Sequence, residues 1–298
     1  MFRRGSLDGT ITGQVHVTAY QMHYGVLRGN NFELLTSLEA GRARLEDCSV
    51  EAFGGKLELR GVLWTDSGAS HHPLRAQMQL LGVELPQLFA LAAPLGLDVL
   101  GPDNVRGTMR AEADIQTDLG ATFLPQVART RAFVHADLRE LELLDVEALT
   151  QATGMLSPRR TGHLYFEPVQ ADFLLDRGLV LIPELNLSSN LTDLQVSGKY
   201  GLDGRADLYV GLSPLQTLFG NNRKRVARIR SGEATQRRSR GLIYLHLHRA
   251  AGSRYQVRLF KKKDQQQQQT ELREEYERLL RQPSSRTNLW PMSELVNE

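Results

Sequence analysis

The 298-residue chain is poor in cysteine, in aromatic side chains and in net charge. A single cysteine, Cys48, excludes an internal disulfide framework and any metal site built from several thiolates. Lys and Arg number 36 against 34 Asp and Glu, so the formal net charge is only +2. This near balance argues against a protein coated in basic residues for nucleic acid, and we expect no nucleic-acid partner.

A long apolar segment is also missing. Met1–Arg4 is followed by polar, glycine-containing sequence and not by an apolar stretch of signal-peptide length. The most apolar run, Leu88–Leu97, is about half the length of a membrane span and contains Pro94. Either the protein stays where it is made, or the chain lacks its natural N-terminus.

Catalytic motifs are absent as well. The chain has no Gly-x-Ser-x-Gly elbow, no His-Glu-x-x-His and no phosphate-binding loop. Cys48 shares its strand parity with Val50, which favours a small buried hydrophobe over a nucleophile. His246 and His248 share one strand face and could hold a metal, but a solvated polar face is the better interpretation. The sequence therefore predicts no enzyme, no cofactor and no metal site.

What the chain does contain is period-two alternation of apolar and polar residues, which is typical of antiparallel strands with one apolar face. The clearest segments are Ile11–Ala19, Lys56–Leu63, Arg75–Leu81, Arg106–Thr117, Arg131–Leu143, Ala206–Leu212, Leu242–His248 and Tyr255–Phe260. Gly54-Gly55 and Asp203-Gly204 separate such segments and suit tight hairpin turns. The alternation predicts a mostly β protein.

An internal repeat sharpens this prediction. A shift of 137 residues places Phe32–Gly41 over Val169–Gly178 without a gap. The same shift places Leu45, Cys48, Val50, Leu57, Leu59 and Gly61 over Ile182, Leu185, Leu187, Leu194, Val196 and Gly198. The shared unit is a strand, a glycine-containing turn, a second strand, a short connection and a strand that carries a glycine.

Short helices are predicted between the strands, at Leu85–Ala93, Val146–Thr153 and Pro214–Phe219. All three are apolar and only a turn or two long, so each needs the sheet for stability. A final helix is predicted at Thr270–Arg281, with Leu272, Tyr276, Leu279 and Leu280 on one stripe.

Charge is unevenly distributed. Residues 221–263 contain 14 Lys and Arg but a single acidic residue, Glu233. This basic segment is predicted either as an ordinary solvated loop or as a site of attraction to an anionic membrane surface. The candidate membrane-surface residues are Arg223, Lys224, Arg225, Arg228 and Arg230.

The apolar faces of the strands need a cover. The few predicted helices are too short to cover about a dozen strands. The sheet therefore either folds on itself as a closed sandwich or barrel, or curls into a trough whose lining is open to apolar ligands. Pattern alone favours closed packing.

The segment Ile182–Gly198, which reads IPELNLSSNLTDLQVSG, resembles the C-terminal region of AsmA-family proteins in the form found in Bacteroidota. The segments Arg177–Leu181, Tyr200–Gly204 and Leu212–Arg225 fit the same pattern, as do Gly101–Gly107 and Leu141–Leu149. The likeness covers most of residues 26–263, and none of its motifs is catalytic.

The resemblance implies a non-enzymatic envelope protein of outer-membrane biogenesis that binds or conducts phospholipid between the inner and outer membranes. It implies a periplasmic location and attachment to the inner membrane through an N-terminal anchor, which this chain lacks. The implied fold is a long, curved antiparallel sheet that forms an apolar-lined groove, with a few short helices and a C-terminal amphipathic helix. With the family in view, the open trough replaces closed packing as the favoured interpretation.

The predicted lipid-binding residues are the apolar members of the alternating segments. They are Val15, Val17, Val50, Leu57, Leu59, Val180, Ile182, Leu185, Leu187, Leu194, Val196, Leu208, Val210 and Leu212. The alternative function is a structural or assembly factor whose closed β domain binds outer-membrane proteins or other envelope components. The predicted regions are a β-groove at 1–220 that contains the repeat, a basic loop at 221–241, terminal strands at 242–263 and a Gln-rich helical tail at 264–298.

Overall fold

Antiparallel strands make up most of the protein. The computed structural model describes residues 12–25, 27–39, 41–65, 70–92, 101–146, 162–213, 222–231 and 241–281. Fourteen strands in these ranges form one sheet, and every pairing is antiparallel. The predicted mostly β fold, an open and curved sheet with a C-terminal helix, is confirmed.

Strand order in the sheet follows chain order, apart from β8, which pairs with the end of β7 beside the main path. The strands are β1 Gly13–Tyr24, β2 Leu27–Glu39, β3 Arg42–Ala52, β4 Gly55–Trp64, β5 His72–Glu84, β6 Val105–Leu119, β7 Arg131–Leu144, β8 His163–Tyr165, β9 Val169–Asp176, β10 Leu179–Ser188, β11 Asp193–Gly201, β12 Ala206–Leu212, β13 Ile243–Arg249 and β14 Gln256–Phe260. At about 4.8 Å between neighbouring strands, the path from β1 to β14 is on the order of 60 Å long.

Within the described residues, three α-helices and a 3-10 turn at Val127–Arg129 accompany the sheet. The helices are α1 Leu85–Ala92, α2 Asn222–Ser231 and α3 Lys262–Arg281. The α1 helix corresponds to the predicted helix at Leu85–Ala93. The predicted helices at Val146–Thr153 and Pro214–Phe219 lie outside the described residues, except for Val146, which is not helical.

Two helix predictions need correction. The segment 221–241, predicted as a loop, contains the ten-residue helix α2, because its Arg, Lys and Ala residues favour helix and no proline or glycine interrupts it. The last helix begins at Lys262, eight residues before the predicted Thr270. The glutamine run is compatible with helix, and Asp264 in the first turn complements the positive end of the helix dipole.

The 137-residue repeat has a structural counterpart in the strand registers. Strands β2, β3 and β4 correspond to β9, β10 and β11, and Glu39 pairs with Arg42 just as Asp176 pairs with Leu179. Both β3–β4 and β10–β11 contain a register shift at the same place, after Leu45 in the first copy and after Ile182 in the second. The two three-stranded units therefore share their turn, their pairing and their bulge.

The sheet has two chemically distinct faces, because residues that pair directly across a ladder point to the same side and neighbours along a strand to opposite sides. One continuous row across β4, β5, β6, β7 and β9 consists of Leu59, Met78, Ala113, Val134 and Phe173. The adjacent row on the other side consists of Glu58, Gln79, Glu112, His135 and Asp172. We call these sides the apolar face and the polar face.

The α3 helix packs on the polar face. Its buried residues Leu272 and Tyr276 pack in one cluster with Leu174, Leu181 and Tyr209. Ion pairs fix the helix at both flanks, where Lys199 Nζ lies 2.6 Å from a carboxylate oxygen of Glu275 and Arg273 lies 3.4 Å from Glu184. The longest helix of the described chain therefore does not cover the apolar face.

The sheet is interrupted between β9 and β10. These strands pair only through 174–176 and 179–181, and from Ile182 onward β10 pairs with β11 alone. Pro183 stands in the bulge where β10 leaves β9 and has no N–H to donate to a ladder. A bridge between Phe166 and Ser189 reconnects the two sides at the other end. We call this interruption the seam.

Candidate functional site: the apolar face of the sheet

The apolar face extends from the first strand to the last. In the N-terminal part, Val17 pairs with Leu34, Leu34 with Cys48 and Cys48 with Leu59. In the C-terminal part the row Leu185, Val196, Val210, Leu245 and Leu259 crosses β10 to β14. Leu175 of β9 pairs with Val180 of β10 and joins the two parts across the seam.

All 14 predicted lipid-binding residues lie on this one face, because the registers place each of them in an apolar row. The bulge after Ile182 is what keeps Leu185 and Leu187 on the same side as Ile182, since it adds one residue to β10 relative to β11. The corresponding bulge after Leu45 does the same for Cys48 and Val50.

Exposure along the apolar face is graded. Val15 and Val17, near the β1 edge, are 38% and 39% exposed, whereas Val50 on β3 is 1% exposed. Five of the 14 predicted residues are buried, namely Val50, Leu194, Leu208, Val210 and Leu212. Seven are half-buried, namely Leu57, Leu59, Val180, Ile182, Leu185, Leu187 and Val196. The face is therefore most accessible at its two edges, at Val15 and Val17 on β1 and at Leu259 on β14, which is 79% exposed.

The largest hydrophobic cluster of the protein lies on the C-terminal part of the apolar face. It joins Leu208 of β12 and Leu247 of β13 with Val105 of β6 and Leu143 of β7, which are distant along the sheet. Leu85 and Phe89 of α1 belong to the same cluster, so this short helix packs on the apolar side. Curvature of the sheet brings these strands together and turns part of the predicted lining into core.

Cys48 occupies the apolar face between Leu34 and Leu59. Burial raises the pKa of its thiol above the ordinary value, and the nearby carboxylate of Asp47 raises it further. A raised pKa keeps the thiol neutral at neutral pH, which disfavours a nucleophilic role. Cys48 lies on the apolar face, as the sequence predicts, but it is half-buried and not fully buried.

The predicted membrane-surface residues fall into two groups, those that contact the sheet and those that are exposed. An Arg225 guanidinium nitrogen donates to the Asp193 carboxylate at 2.9 Å, and both side chains are largely buried. The Arg230 guanidinium lies 5.2 Å from the centre of the Tyr165 ring. Lys224 and Arg228 are exposed on α2, and the side chain of Arg223 lies outside the described part of the chain. Arg225 and Arg230 thus bind α2 to the sheet.

Two polar features are not predicted from the sequence. At the seam, Gln170, Glu184 and Asn186 line a cavity of about 980 Å³ together with Ile229 and Arg230 of α2. On β12, Asp207 lies on the same face as His246 and His248 and approaches them closely. Pairing across strands creates both features, and only the strand register could have revealed them in advance.

Comparisons with known proteins add no relative. No family model matches the chain, and neither a curated protein nor a solved structure matches it. Among the helices of the described residues, none combines the length and the apolar character that crossing a membrane requires.

Proposed function

We propose that the apolar face binds the acyl chains of phospholipids and that the protein acts in the cell envelope as a non-enzymatic carrier in outer-membrane biogenesis. The observation that carries the proposal is the continuous apolar face, which crosses the whole sheet while the long helix α3 covers the opposite side. The longest described helix packs on the opposite side, so it removes none of the apolar face from water.

An acyl chain needs a continuous apolar surface and no particular polar group. Each CH₂ group that such a surface removes from water contributes about 0.8 kcal/mol. Rows of side chains on neighbouring strands are about 4.8 Å apart, so a chain lying along a row crosses one strand every four carbons or so. The row Val17, Leu34, Cys48 and Leu59 provides such a path from the exposed β1 edge inward.

Burial divides the 14 predicted residues between two roles. The two exposed and seven half-buried residues are the ones that acyl chains would contact, foremost Val17, Leu59 and Val196. The five buried residues support that surface from within the core. Lys224 and Arg228, exposed on α2, provide positive charge for an anionic membrane surface.

The envelope location and the movement of lipid between the two membranes are supported by the resemblance around Ile182–Gly198. A periplasmic location, attachment to the inner membrane and an outer-membrane or periplasmic protein partner are proposed on the same likeness.

The test places a photo-crosslinking amino acid at Leu59 and at Val196 in cells that express the chain. The matched controls carry it at Glu58 and Gln195, which are the preceding residues on the polar face. We expect phospholipid adducts, identified by mass spectrometry, from the two apolar positions and at most a tenth as many from the controls. No lipid adduct from Leu59 or Val196, or equal adducts from the controls, would overturn the proposal.

A second candidate function is favoured by the burial of the C-terminal cluster. Leu194, Leu208, Val210 and Leu212 are packed in the protein's own core, as expected of a closed β domain. Such a domain would serve as a structural or assembly factor for outer-membrane proteins or other envelope components. Protein adducts without lipid adducts at Leu59 and Val196 would favour this function.

A further inference from the structure

Asp207, His246 and His248 form a cluster on the polar face at the C-terminal end of the sheet. In the β12–β13 ladder His248 pairs with Asp207 and His246 pairs with Tyr209, so all three side chains project to one side. One ligand atom from each residue, an imidazole nitrogen from each histidine and a carboxylate oxygen from Asp207, lies within 4.8 Å of the other two. We propose that these three residues bind a divalent transition-metal ion of the zinc class.

The ligand set has the chemistry that such an ion prefers. Two imidazole nitrogens and one carboxylate oxygen form a common three-residue zinc set, with metal–ligand distances of about 2.0–2.2 Å. Around a tetrahedral ion, two ligand atoms are about 3.3 Å apart. The widest separation between ligand atoms therefore has to contract by at most about 1.5 Å, which the exposed side chain of His248 allows by a change of rotamer.

Neighbouring side chains hold two of the three ligands in place. The His246 ring stacks on the Tyr209 ring with 4.8 Å between centroids and 8° between planes, and it contacts the Asp207 carboxylate through Nε2. Tyr209 is itself buried under α3. A ligand pair fixed in this way loses little conformational freedom when an ion binds.

The side chains of β14 that face the cluster include one positive charge. Arg258 on β14 pairs with His246, and Gln256 pairs with His248. Both line the same cavity of about 370 Å³ as the histidines, together with Arg254. The Arg258 guanidinium repels a cation, so its removal is expected to tighten metal binding. The Gln256 side-chain oxygen or a water molecule is available for the fourth coordination position.

The site is independent of the lipid proposal, since it lies on the other face of the sheet. A bound metal ion would link β13 to β12 close to the C-terminal edge of the sheet. The metal would hold together the strand pair next to β14, which is the last strand of the sheet among the described residues.

The experiment measures binding of Zn²⁺ to the full chain, produced without a polyhistidine tag, by calorimetry, and of Co²⁺ by its visible absorption. We expect one equivalent of metal per chain, a Co²⁺ spectrum of tetrahedral type, and a higher melting temperature with Zn²⁺. His248→Ala and Asp207→Asn should each weaken binding by at least about tenfold. Arg258→Ala should strengthen it.

The matched control is His135→Ala. His135 is an exposed histidine of the same polar face whose Nδ1 lies 2.7 Å from an Asp172 oxygen, and no third ligand is grouped with this pair among the described residues. Its removal should leave metal affinity unchanged. The proposal is overturned if the wild-type chain binds no Zn²⁺ at micromolar concentration, if His248→Ala binds as the wild type does, or if His135→Ala loses binding equally.

Discussion

Gly198 lies directly opposite Leu208, and a Cβ atom at position 198 would come within 2.8 Å of the Leu208 Cα. Its repeat counterpart, Gly61, lies opposite Ala76, where an added Cβ would come equally close to the Ala76 Cα. Both glycines pair with the last residue before the bulge, Ile182 in one copy and Leu45 in the other. The repeat therefore preserves a position where neighbouring backbones approach too closely for a side chain.

The first prediction concerns this close approach. Gly198→Ala should lower the free energy of unfolding by about 1–3 kcal/mol, because the methyl group meets the β12 backbone and the residue has a φ of +140°. Gly13→Ala, in open space at the start of β1, is the control and should change stability little. Urea unfolding measures both, and equal stabilities would refute the steric argument.

The second prediction concerns the docking of α3. Leu272→Ala should cost about 2–5 kcal/mol of unfolding free energy, because Leu272 is buried between the helix and the polar face. Leu280→Ala, eight residues later and 45% exposed, should cost less than about 0.5 kcal/mol. Denaturant titration followed by circular dichroism distinguishes them, and similar costs would mean that α3 does not pack as described.

The third prediction concerns alkaline pH. Burial, assisted by the Asp172 carboxylate, raises the pKa of Tyr276 to about 12. The folded state therefore favours the neutral phenol, a contribution that is complete below the unfolded pKa of about 10 and is lost as pH rises toward 12. Tyr276→Phe should remove this part of the alkaline loss. Melting temperatures of wild type and variant that fall in parallel between pH 9 and 12 would contradict it.

The fourth prediction separates the two kinds of arginine on α2. Arg225→Ala should lower the unfolding free energy by about 1–3 kcal/mol, because it leaves the largely buried Asp193 carboxylate without its 2.9 Å donor. Arg228→Ala, on the exposed side of α2, should stay within about 0.5 kcal/mol of the wild type. Thermal unfolding compares the two, and a larger effect from Arg228 would reverse their roles.

Most of the fold could be predicted from period-two alternation, because a strand with one apolar face alternates apolar and polar residues along the sequence. The repeat was visible for the same reason, since Gly61 and Gly198 mark one steric requirement. Helix boundaries were harder to predict from the sequence. The glutamine run and the basic residues of α2 are compatible with loop and helix alike, and packing decides between them.

The candidate site was predicted in part. The parity of residues such as Val17 and Val196 showed which side of a strand is apolar, but only curvature of the sheet decides which of them become core. Asp207 could not be grouped with His246 and His248, because 39 residues separate it from the nearer histidine and only the β12–β13 register brings them together.

The seam divides the sheet into two plates that only a few main-chain contacts join. The plate with β1 to β9 and the plate with β10 to β14 share three paired positions at one end and a single bridge at the other. Few main-chain hydrogen bonds cross this line, so the two plates are held together mainly by side-chain packing. The hydrophobic cluster that joins β12 and β13 to β6 and β7 crosses the seam, and α3 packs on both Leu174 and Leu181. Loosening this packing should therefore separate the sheet at the seam before any other ladder opens.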